Sequence, residues 1–343
     1  MRTAISLSAE ERPWPELVDY VLAAEKLGVD VCWVTEGWGC DAASPLGYLA
    51  ARTSRILIGS GVFQLGTRTP ALTAMTALTI DAMSGGRFLL GLGASGPQVI
   101  EGLHGVDFAH PYGRMRETIE IIRQLASGQR ASYQGRHFSL PRPGRDVRAP
   151  RLSQTPNEKL PLYIATLSPM LLELTGELAD GWLGTSFIPE RADVYLNPLR
   201  TGLSRADRTA SDLDLCQHAE LAVGEDLTGF LAQQRRRLAF YLGGMGSVQT
   251  NFYNRAYARQ GFADVAREVH ELWTAGDRES AIAKIPDELV FATSLIGTES
   301  MIRARLMVWR DAGITTVRLN PAAQELHERL DWLECAVAVA KSL

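Results

Sequence analysis

The chain has 343 residues, of which 46% are hydrophobic and 22% charged, and its formal net charge is −4. This composition can bury a large core, and the acidic balance argues against a nucleic-acid-binding protein. No apolar run reaches the roughly 20 residues of a membrane span, and no signal peptide precedes the first strand-like segment, so we expect a cytoplasmic protein without a membrane partner.

Strand and helix signals alternate from the N-terminus. The strand-like segment AISLS is followed by an amphipathic helix over Trp14–Leu27 with Gly28 as its C-cap, and then by the strand VDVCWVT. A helix near Leu46–Arg52 leads to the strand RILIGSGV. A further helix begins at Pro70, ends at two glycines and leads to the strand RFLLGLG, which completes four strands of one alternating pattern.

The pattern is interrupted after a helix over Arg114–Leu125. The segment from about 128 to 160 is rich in proline, glycine and arginine, and SYQGRHFSLP within it is typical of a small hairpin. We expect this insertion to lie over the mouth of the fold, either as a lid or as a passive surface excursion.

The alternation then resumes with the strands LPLYIAT and DGWLGTS, joined by the helix PMLLELTGELA. A helix near Glu190–Leu203 precedes the strand DLDLCQHAELAVG, and a long helical region follows over about 227 to 292. A helix over Glu299–Asp311, the strand TTVRLN and a last helix ending at Lys341 complete the chain.

Eight strands with helices between them predict a (β/α)8 TIM barrel rather than an open sheet. The two interruptions become insertions after the fourth and seventh strands. They account for the length beyond a minimal barrel, so the sequence predicts a single domain over residues 1–343.

The segment GLGASG at the fourth strand matches the dinucleotide-binding pattern G-x-G-x-x-G. In a dinucleotide fold this pattern opens a βαβ unit whose second strand ends in an acidic residue about 20 positions on. Here the following residues lead into the helical segment ETIEIIRQLA, and three strand-helix units precede the match. We therefore interpret the segment as the end of a barrel strand.

Three other strand ends carry residues suited to ligand binding, because a TIM barrel places its active site at the carboxyl ends of its strands. Glu36 follows the second strand and is a candidate site residue. The alternative is that it is a solvated acid in a loop. Gly61 follows the third strand, where glycine permits an unusual backbone conformation beside a ligand. The alternative is that Gly61 only forms a simple turn. Ser168 precedes a proline-initiated helix whose free amides suit a phosphate, with an ordinary N-cap as the alternative.

Metal and Schiff-base chemistry are disfavoured. The six histidines form no HxH or HExxH pair, the four cysteines form no CxxC pair, and none of the four lysines ends an apolar strand. His104 lies just beyond the fourth strand and could reach the mouth. His218 and Glu220 share one face of the seventh strand, where Glu220 is the more plausible pocket acid and a satisfied buried group is the alternative.

The ordered set of segments LAAEKLGVDVCWVTEG, RILIGSGV, TRTPALTAMTALTIDAMSGGRFLLGLGASG, LPLYIAT, ELADGWLGTSF and IGTESMIRARLMVWRDAGITTV resembles the luciferase-like monooxygenase superfamily. The similarity is strongest to its coenzyme F420-dependent oxidoreductases, such as methylene-tetrahydromethanopterin reductases. The resemblance implies a non-prolyl cis peptide bond after the third strand, placed against the central ring of the cofactor. The matching bond here is Gly61–Val62, and we predict that it is cis.

The resemblance also implies where the cofactor would lie. Ring contacts would come from the ends of the second, third and fourth strands, and phosphate contacts from the ends of the fifth and sixth. These residues are Thr35, Glu36, Ser60, Gly61, Val62, Phe63, Gln64, Gly93, Ala94 and Ser95 for the ring, and Ala165, Thr166, Leu167, Ser168, Gly184, Thr185 and Ser186 for the phosphate.

The resemblance implies hydride transfer between coenzyme F420 and a small organic substrate. Many relatives have an Asp-His pair after the second strand, whereas this chain has Glu36-Gly37. Glu36 is therefore the leading candidate proton donor or acceptor, with Glu220 and His104 as weaker ones. The alternatives are an FMN-dependent monooxygenase and a barrel that binds a flavin or deazaflavin without turnover. A homodimer is expected, since dimers are usual among the relatives.

Overall fold

Eight parallel strands close into a barrel with helices on its outside, as predicted. The computed structural model describes residues 1–8, 13–144, 146–247 and 249–343. The strands are β1 (Arg2–Leu7), β2 (Val31–Val34), β3 (Leu57–Ser60), β4 (Phe63–Gln64), β5 (Phe88–Gly93), β6 (Tyr133–Gln134), β7 (Ser139–Leu140), β8 (Leu162–Ala165), β9 (Gly181–Gly184), β10 (Asp214–Val223), β11 (Ser294–Gly297) and β12 (Thr316–Pro321).

The helices follow the barrel strands in the order that the sequence predicted. They are α1 (Trp14–Leu27), α2 (Ala43–Arg52), α3 (Pro70–Ser84), α4 (Pro97–Ile100), α5 (Pro111–Ala126), α6 (Pro169–Leu178), α7 (Asp193–Arg205), α8 (Thr228–Gly243), α9 (Phe252–Tyr257), α10 (Ala263–Thr274), α11 (Arg278–Ala283), α12 (Asp287–Thr293), α13 (Glu299–Asp311) and α14 (Leu326–Lys341). A π-helical turn over Ala258–Phe262 joins α9 to α10.

The barrel closes through parallel pairing of neighbouring strands in the order β1, β2, β3, β5, β8, β9, β10 and β12, with β12 returning to β1. We number these as barrel strands one to eight. Both faces of each strand are covered, the outer face by helices and the inner face by the opposite wall, which explains the nearly continuous apolar strand sequences.

The floor of the barrel is filled by two large aromatic side chains. Trp33 and Tyr163 meet edge to face with ring centroids 5.0 Å apart. A Cβ on Gly59 would lie 2.4 Å from the Trp33 ring, and a Cβ on Gly181 would lie 2.0 Å from the Tyr163 ring. Glycine at these two positions therefore makes room for the rings, and any ligand site must lie above this layer, at the carboxyl ends of the strands.

The insertion over 128–160 contains the predicted hairpin, formed by β6 and β7. Its tip is held by the nearly buried carboxylate of Glu117 on α5, which accepts hydrogen bonds from the backbone N–H groups of Arg136 (2.8 Å), His137 (2.9 Å) and Phe138 (2.8 Å). Asn157 further on donates to Asp81 of α3. The described part of this insertion thus lies against the outer helices, and the expectation that it lies over the mouth is wrong.

The second insertion is helical, as predicted, and consists of α8 to α12. It has a core of its own, in which Leu238, Val269 and Leu289 are fully or almost fully buried. Strand β11 was not predicted from the sequence. Its residues Ser294–Gly297 pair in parallel with the last four residues of β10. A four-residue apolar run between a helix and a glycine has no periodicity that distinguishes a strand from a helix end.

Within the described residues, no helix combines the length and the apolar character that crossing a membrane requires.

Replacing Glu117 with glutamine should lower the free energy of unfolding by about 2 kcal/mol, because charge-assisted hydrogen bonds to three backbone donors are weakened. Urea unfolding followed by circular dichroism measures this change. Glu158 lies in the same insertion but is exposed, so E158Q serves as the control and should change stability by less than about 0.5 kcal/mol. Equal stabilities of E117Q and E158Q would contradict this account of the insertion.

Candidate active site

Two unlike walls face each other at the carboxyl ends of the barrel strands. Strands three to five present small residues, namely Gly61, Gly93 and Ala165, and we call these the small wall. Strands seven and eight present His218, Glu220, Arg318 and Asn320, which we call the polar wall. Strands three and seven of a closed eight-stranded barrel are diametrically opposite, so the two walls lie across the mouth from each other.

The small wall is shaped by the chain after β3. The peptide bond between Gly61 and Val62 is cis, which confirms that prediction. The side chain of Val62 lies against Gly93, where an added Cβ would come within 2.5 Å of Val62 Cγ2. The buried Ser60 hydroxyl joins β3 to β5, since it accepts from Gly91 N–H and donates to Gly91 C=O, both at 2.9 Å. This wall therefore offers backbone and one valine side chain to a ligand.

The neighbouring loop is braced by Glu36, which was expected to be a free acid or base. One carboxylate oxygen accepts from Ala42 N–H at 3.0 Å and lies 3.4 Å from the Arg68 guanidinium. The other accepts from Gln64 N–H at 3.3 Å. The Glu36 carboxylate thus has three donors, one from its own loop and two from the segment after β3.

The side chains of the next two predicted ring contacts are buried. Phe63 packs against Phe88 in the core, beneath the guanidinium of Arg68. Gln64 donates to the carbonyl groups of Glu36 and Gly37, while its side-chain oxygen is buried without a hydrogen-bond partner among the described residues. After β5, Ala94 and Ser95 form the loop that precedes α4, and Ser95 has a positive φ of 61°.

The loop after β8, over residues 166–168, is the one predicted to contact a phosphate. Thr166 Oγ1 accepts from Ser168 N–H at 3.0 Å, and the Ser168 side chain makes no capping bond to α6. Arg259, from the π-helical turn, donates to Leu167 C=O at 2.6 Å and pairs with no carboxylate in the described part of the chain. The Arg259 side chain is exposed, so its guanidinium can also bind an anion. Desolvation and the nearby Arg255 lower its pKa.

The loop after β9 lies beside this one, because β8 and β9 are paired. It contains Gly184, Thr185 and Ser186. Ser186 has a positive φ of 54°, and its buried hydroxyl interacts with Tyr257. Its carbonyl accepts from Gln260 Nε2 at 2.7 Å, and Gln260 Oε1 accepts from Ile188 N–H at 2.8 Å. Gln260 thus joins the helical insertion to the loop.

The polar wall centres on Glu220, which has three partners. His218 Nε2 lies 2.6 Å from Glu220 Oε1, Asn320 donates to Oε2 at 2.9 Å, and Arg237 of α8 forms an ion pair with the same carboxylate. Burial raises the pKa of Glu220, but Arg237, His218 and Asn320 outweigh that effect and hold the pKa below its usual value. Glu220 is therefore ionised at neutral pH.

His218 is neutral at the same pH. Burial lowers its pKa, and the opposing effect of Glu220 is too small to restore it. The tautomer that donates from Nε2 to Glu220 leaves Nδ1 as an acceptor, and no described residue donates to it. With 15% of its side chain exposed against 8% for Glu220, His218 is the member of the pair that a ligand in the mouth can reach.

A pair of tyrosines from the helical insertion covers this wall. The rings of Tyr241 and Tyr253 stack with centroids 4.8 Å apart, and Arg237 Nε donates to the Tyr241 hydroxyl at 3.1 Å. Burial raises the pKa of Tyr253 to about 12, so its hydroxyl stays protonated.

His104 does not join these residues. It lies exposed on the turn after α4, and no hydrogen bond or ring contact of its imidazole to either wall is present in the described structure. Within residues 1–8, 13–144, 146–247 and 249–343, no cluster of histidine, cysteine and acidic side chains has the arrangement of a metal site.

Three arginines at the site were not predicted from the sequence: Arg237, Arg259 and Arg318. Two of them come from the helical insertion, and no local pattern shows which side of a helix will return to the mouth. For Arg318, the sequence does contain a signal. In TTVRLN the polar residues Thr316, Arg318 and Asn320 alternate with apolar ones, which is unusual for a strand covered on both faces.

The model of the luciferase-like monooxygenase family matches residues 1–316. The chain belongs to this family. Within the family, it is 36% identical over 315 residues, 90% of this chain and 91% of the relative, to a Mycobacterium tuberculosis protein provisionally named a coenzyme F420-dependent oxidoreductase. It is 31% identical to the 5,10-methylenetetrahydromethanopterin reductase of Archaeoglobus fulgidus, over 88% of each chain.

The fold of this family member also matches solved structures. The coenzyme F420-dependent tetrahydromethanopterin reductase from Methanopyrus kandleri superposes with a TM-score of 0.81 over 99% of this chain and 98% of that one. At 20% identity, this similarity shows the shared barrel fold.

We predict that the imidazole of His218 titrates below pH 6.5, because desolvation disfavours its charged form. Removing the charge in E220Q should lower the pKa of His218 further, since Arg237 and Arg318 then face the ring without the carboxylate. NMR titration of the imidazole signals measures both values, with H218N to assign the resonance.

The lowered pKa of His218 makes the stability of the folded protein depend on pH. The unfolded chain takes up a proton near pH 6.5 that native His218 does not, so stability falls as the pH falls below 6.5. A pKa of His218 above 6.5, or a rise in E220Q, would contradict this description of the polar wall.

Proposed function

We propose that this protein is a coenzyme F420-dependent oxidoreductase that transfers a hydride between the deazaflavin ring and a small organic substrate. The observation that carries the proposal is the pair of opposing walls, with backbone and Val62 on one side of the mouth and the His218–Glu220 pair on the other. The F420-dependent names of the two relatives described above support the choice of cofactor.

The residues present fit such a cofactor. A flat ring needs a surface without protruding side chains, which Gly61, Gly93 and Ala165 provide. The buried Gln64 side-chain oxygen lacks a partner within the described structure, and Gln64 follows the cis bond in the segment expected to contact the cofactor. Arg259 and the loop from Thr166 to Ser168 would hold the phosphate.

Bound F420 supplies the ring carbon that donates or accepts the hydride. Val62 would support one face of the ring, and a substrate would bind on the side of the mouth that carries His218. Its oxygen or nitrogen exchanges a proton with His218 Nδ1, while Glu220 holds the imidazole in the required tautomer and orientation. We assign this step to His218 rather than to Glu36, whose carboxylate braces its loop.

Fluorescence titration with F420 and with FMN tests the cofactor assignment. We expect F420 to bind at micromolar or lower concentration and FMN at least about tenfold more weakly. Tight binding of FMN without binding of F420 would instead support an FMN-dependent monooxygenase and overturn the proposal.

The small wall can be tested by G93A. The added methyl group would lie 2.5 Å from Val62 Cγ2 and must push that side chain into the space for the ring. We expect F420 affinity to fall at least about tenfold while the circular dichroism spectrum is retained. Gly229 on α8 has no atom within 4 Å of an added Cβ, so G229A is the matched control and should bind F420 normally. Unchanged affinity in G93A would contradict the placement of the ring.

The proton step can be tested by H218N. A positioned general acid or base contributes about 10²–10⁴-fold to rate, so the single-turnover rate should fall by about that factor while F420 affinity stays within about twofold. Stopped-flow mixing of reduced F420-loaded protein with a panel of enones, imines and aldehydes measures this rate. A native protein that leaves the whole panel unchanged would favour a cofactor-binding barrel without turnover, and equal rates in H218N would remove His218 from the mechanism.

A further inference from the structure

Arg318 is the one polar-wall residue whose charge the mechanism does not use. It lies inside the barrel on β12, opposite His218 in the register of β10 and β12. Its guanidinium crosses the interior to donate to Gly184 C=O at the end of β9, at 3.2 Å. A guanidinium has five N–H donors, so a single carbonyl contact leaves most of its donors available.

The charge of Arg318 has no counter-ion in the described structure. Its Nε is buried without an acceptor, and none of the described carboxylates forms an ion pair with it. The acid of the same wall, Glu220, already pairs with Arg237 and accepts from His218 and Asn320. Burial lowers the pKa of Arg318, and no described carboxylate pairs with the guanidinium to offset this loss of solvation. A desolvated cation without a partner is costly, and proteins normally pair it.

The groups that surround Arg318 do not supply a negative charge. Cys216 on the adjacent strand stays a neutral thiol, since burial raises its pKa to about 12. Tyr253 stays protonated for the same reason, and His218 is neutral. With Glu220 balanced by Arg237, the polar wall therefore carries one net positive charge, located on Arg318.

The position of this charge distinguishes substrate from cofactor. Arg318 lies on strand eight, next to His218 on strand seven, whereas the ring is supported from strands three to five. The anionic part of the cofactor has its own cation, Arg259, at the loop after β8. The free donors of Arg318 thus belong to the side of the mouth where the substrate meets His218.

We propose that Arg318 binds a carboxylate group of the substrate, so that the enzyme acts on small organic acids. This inference rests on the proposed function and specifies its substrate class. A carboxylate matches the planar fork of a guanidinium and neutralises the uncompensated charge, which a neutral substrate would leave buried. The group that reacts with the hydride then lies beside His218 Nδ1, and the carboxylate fixes its position.

Isothermal titration with benzoate and benzamide tests the proposal, using F420-loaded protein in a buffer without carboxylate or phosphate. The two probes have similar shape and differ in charge. We expect benzoate to bind at least tenfold more tightly than benzamide, and R318M to lose that preference while its F420 affinity stays within twofold. Arg236 on α8 is exposed, so R236M is the matched control and should retain the preference.

A structural role for Arg318 predicts a different result. If its bond to Gly184 served stability, R318M would have a lower melting temperature, whereas removal of an uncompensated charge should leave that temperature unchanged or raise it. Equal binding of benzoate and benzamide by the native protein, a preference that persists in R318M, or a large loss of F420 affinity in R318M would each overturn the proposal. If F420 does not bind at all, the proposed function fails, and Arg318-dependent binding of benzoate to the free protein still tests the anion site separately.

Discussion

The contact between Trp33 and Tyr163 is the constraint on which the rest of the site depends. These two rings fill the interior of the barrel, and they fit only because strands three and six carry glycine at positions 59 and 181. With the lower interior closed, inward-pointing side chains above the rings meet across a shallow mouth. The small residues of strands three to five and the polar residues of strands seven and eight can then act on the same ligand.

The polar wall shows how a buried acid sets the properties of its neighbours. Glu220 is shared by a histidine, an amide and a guanidinium, so it stays ionised despite its burial. That single charge orients His218 and balances Arg237. It cannot also balance Arg318. Among the described residues, Arg237 therefore has a carboxylate counter-ion and Arg318 has none.

Much of the fold could be predicted from the sequence because each β/α unit carries local signals. Gly28 and Gly85 cap their helices in the left-handed conformation that the glycines suggested, and the apolar strands begin close to where their residues predict. The cis bond at Gly61–Val62 was predicted from family resemblance, since no property of the dipeptide alone requires it. These features depend on neighbours in sequence or on an ordered family pattern.

The remaining features depend on contacts between distant segments. The hairpin lies outside the helices because Glu117 accepts its backbone donors, and nothing local to the hairpin reveals that partner. Glu36 was placed correctly at the rim, but its hydrogen bonds come from residues 42 and 64, which changes its role. Arg237 and Arg259 reach the mouth only after the helical insertion has folded back onto the barrel.

Gln260 has a consequence for how the mouth can open. Its single side-chain amide joins the π-helical turn to Ser186 and Ile188, on the loop after β9. Arg259, the next residue back, joins the same turn to the loop after β8. An outward movement of the helical insertion must therefore break both connections together. We therefore expect the helical insertion and the loops after β8 and β9 to move together as one unit.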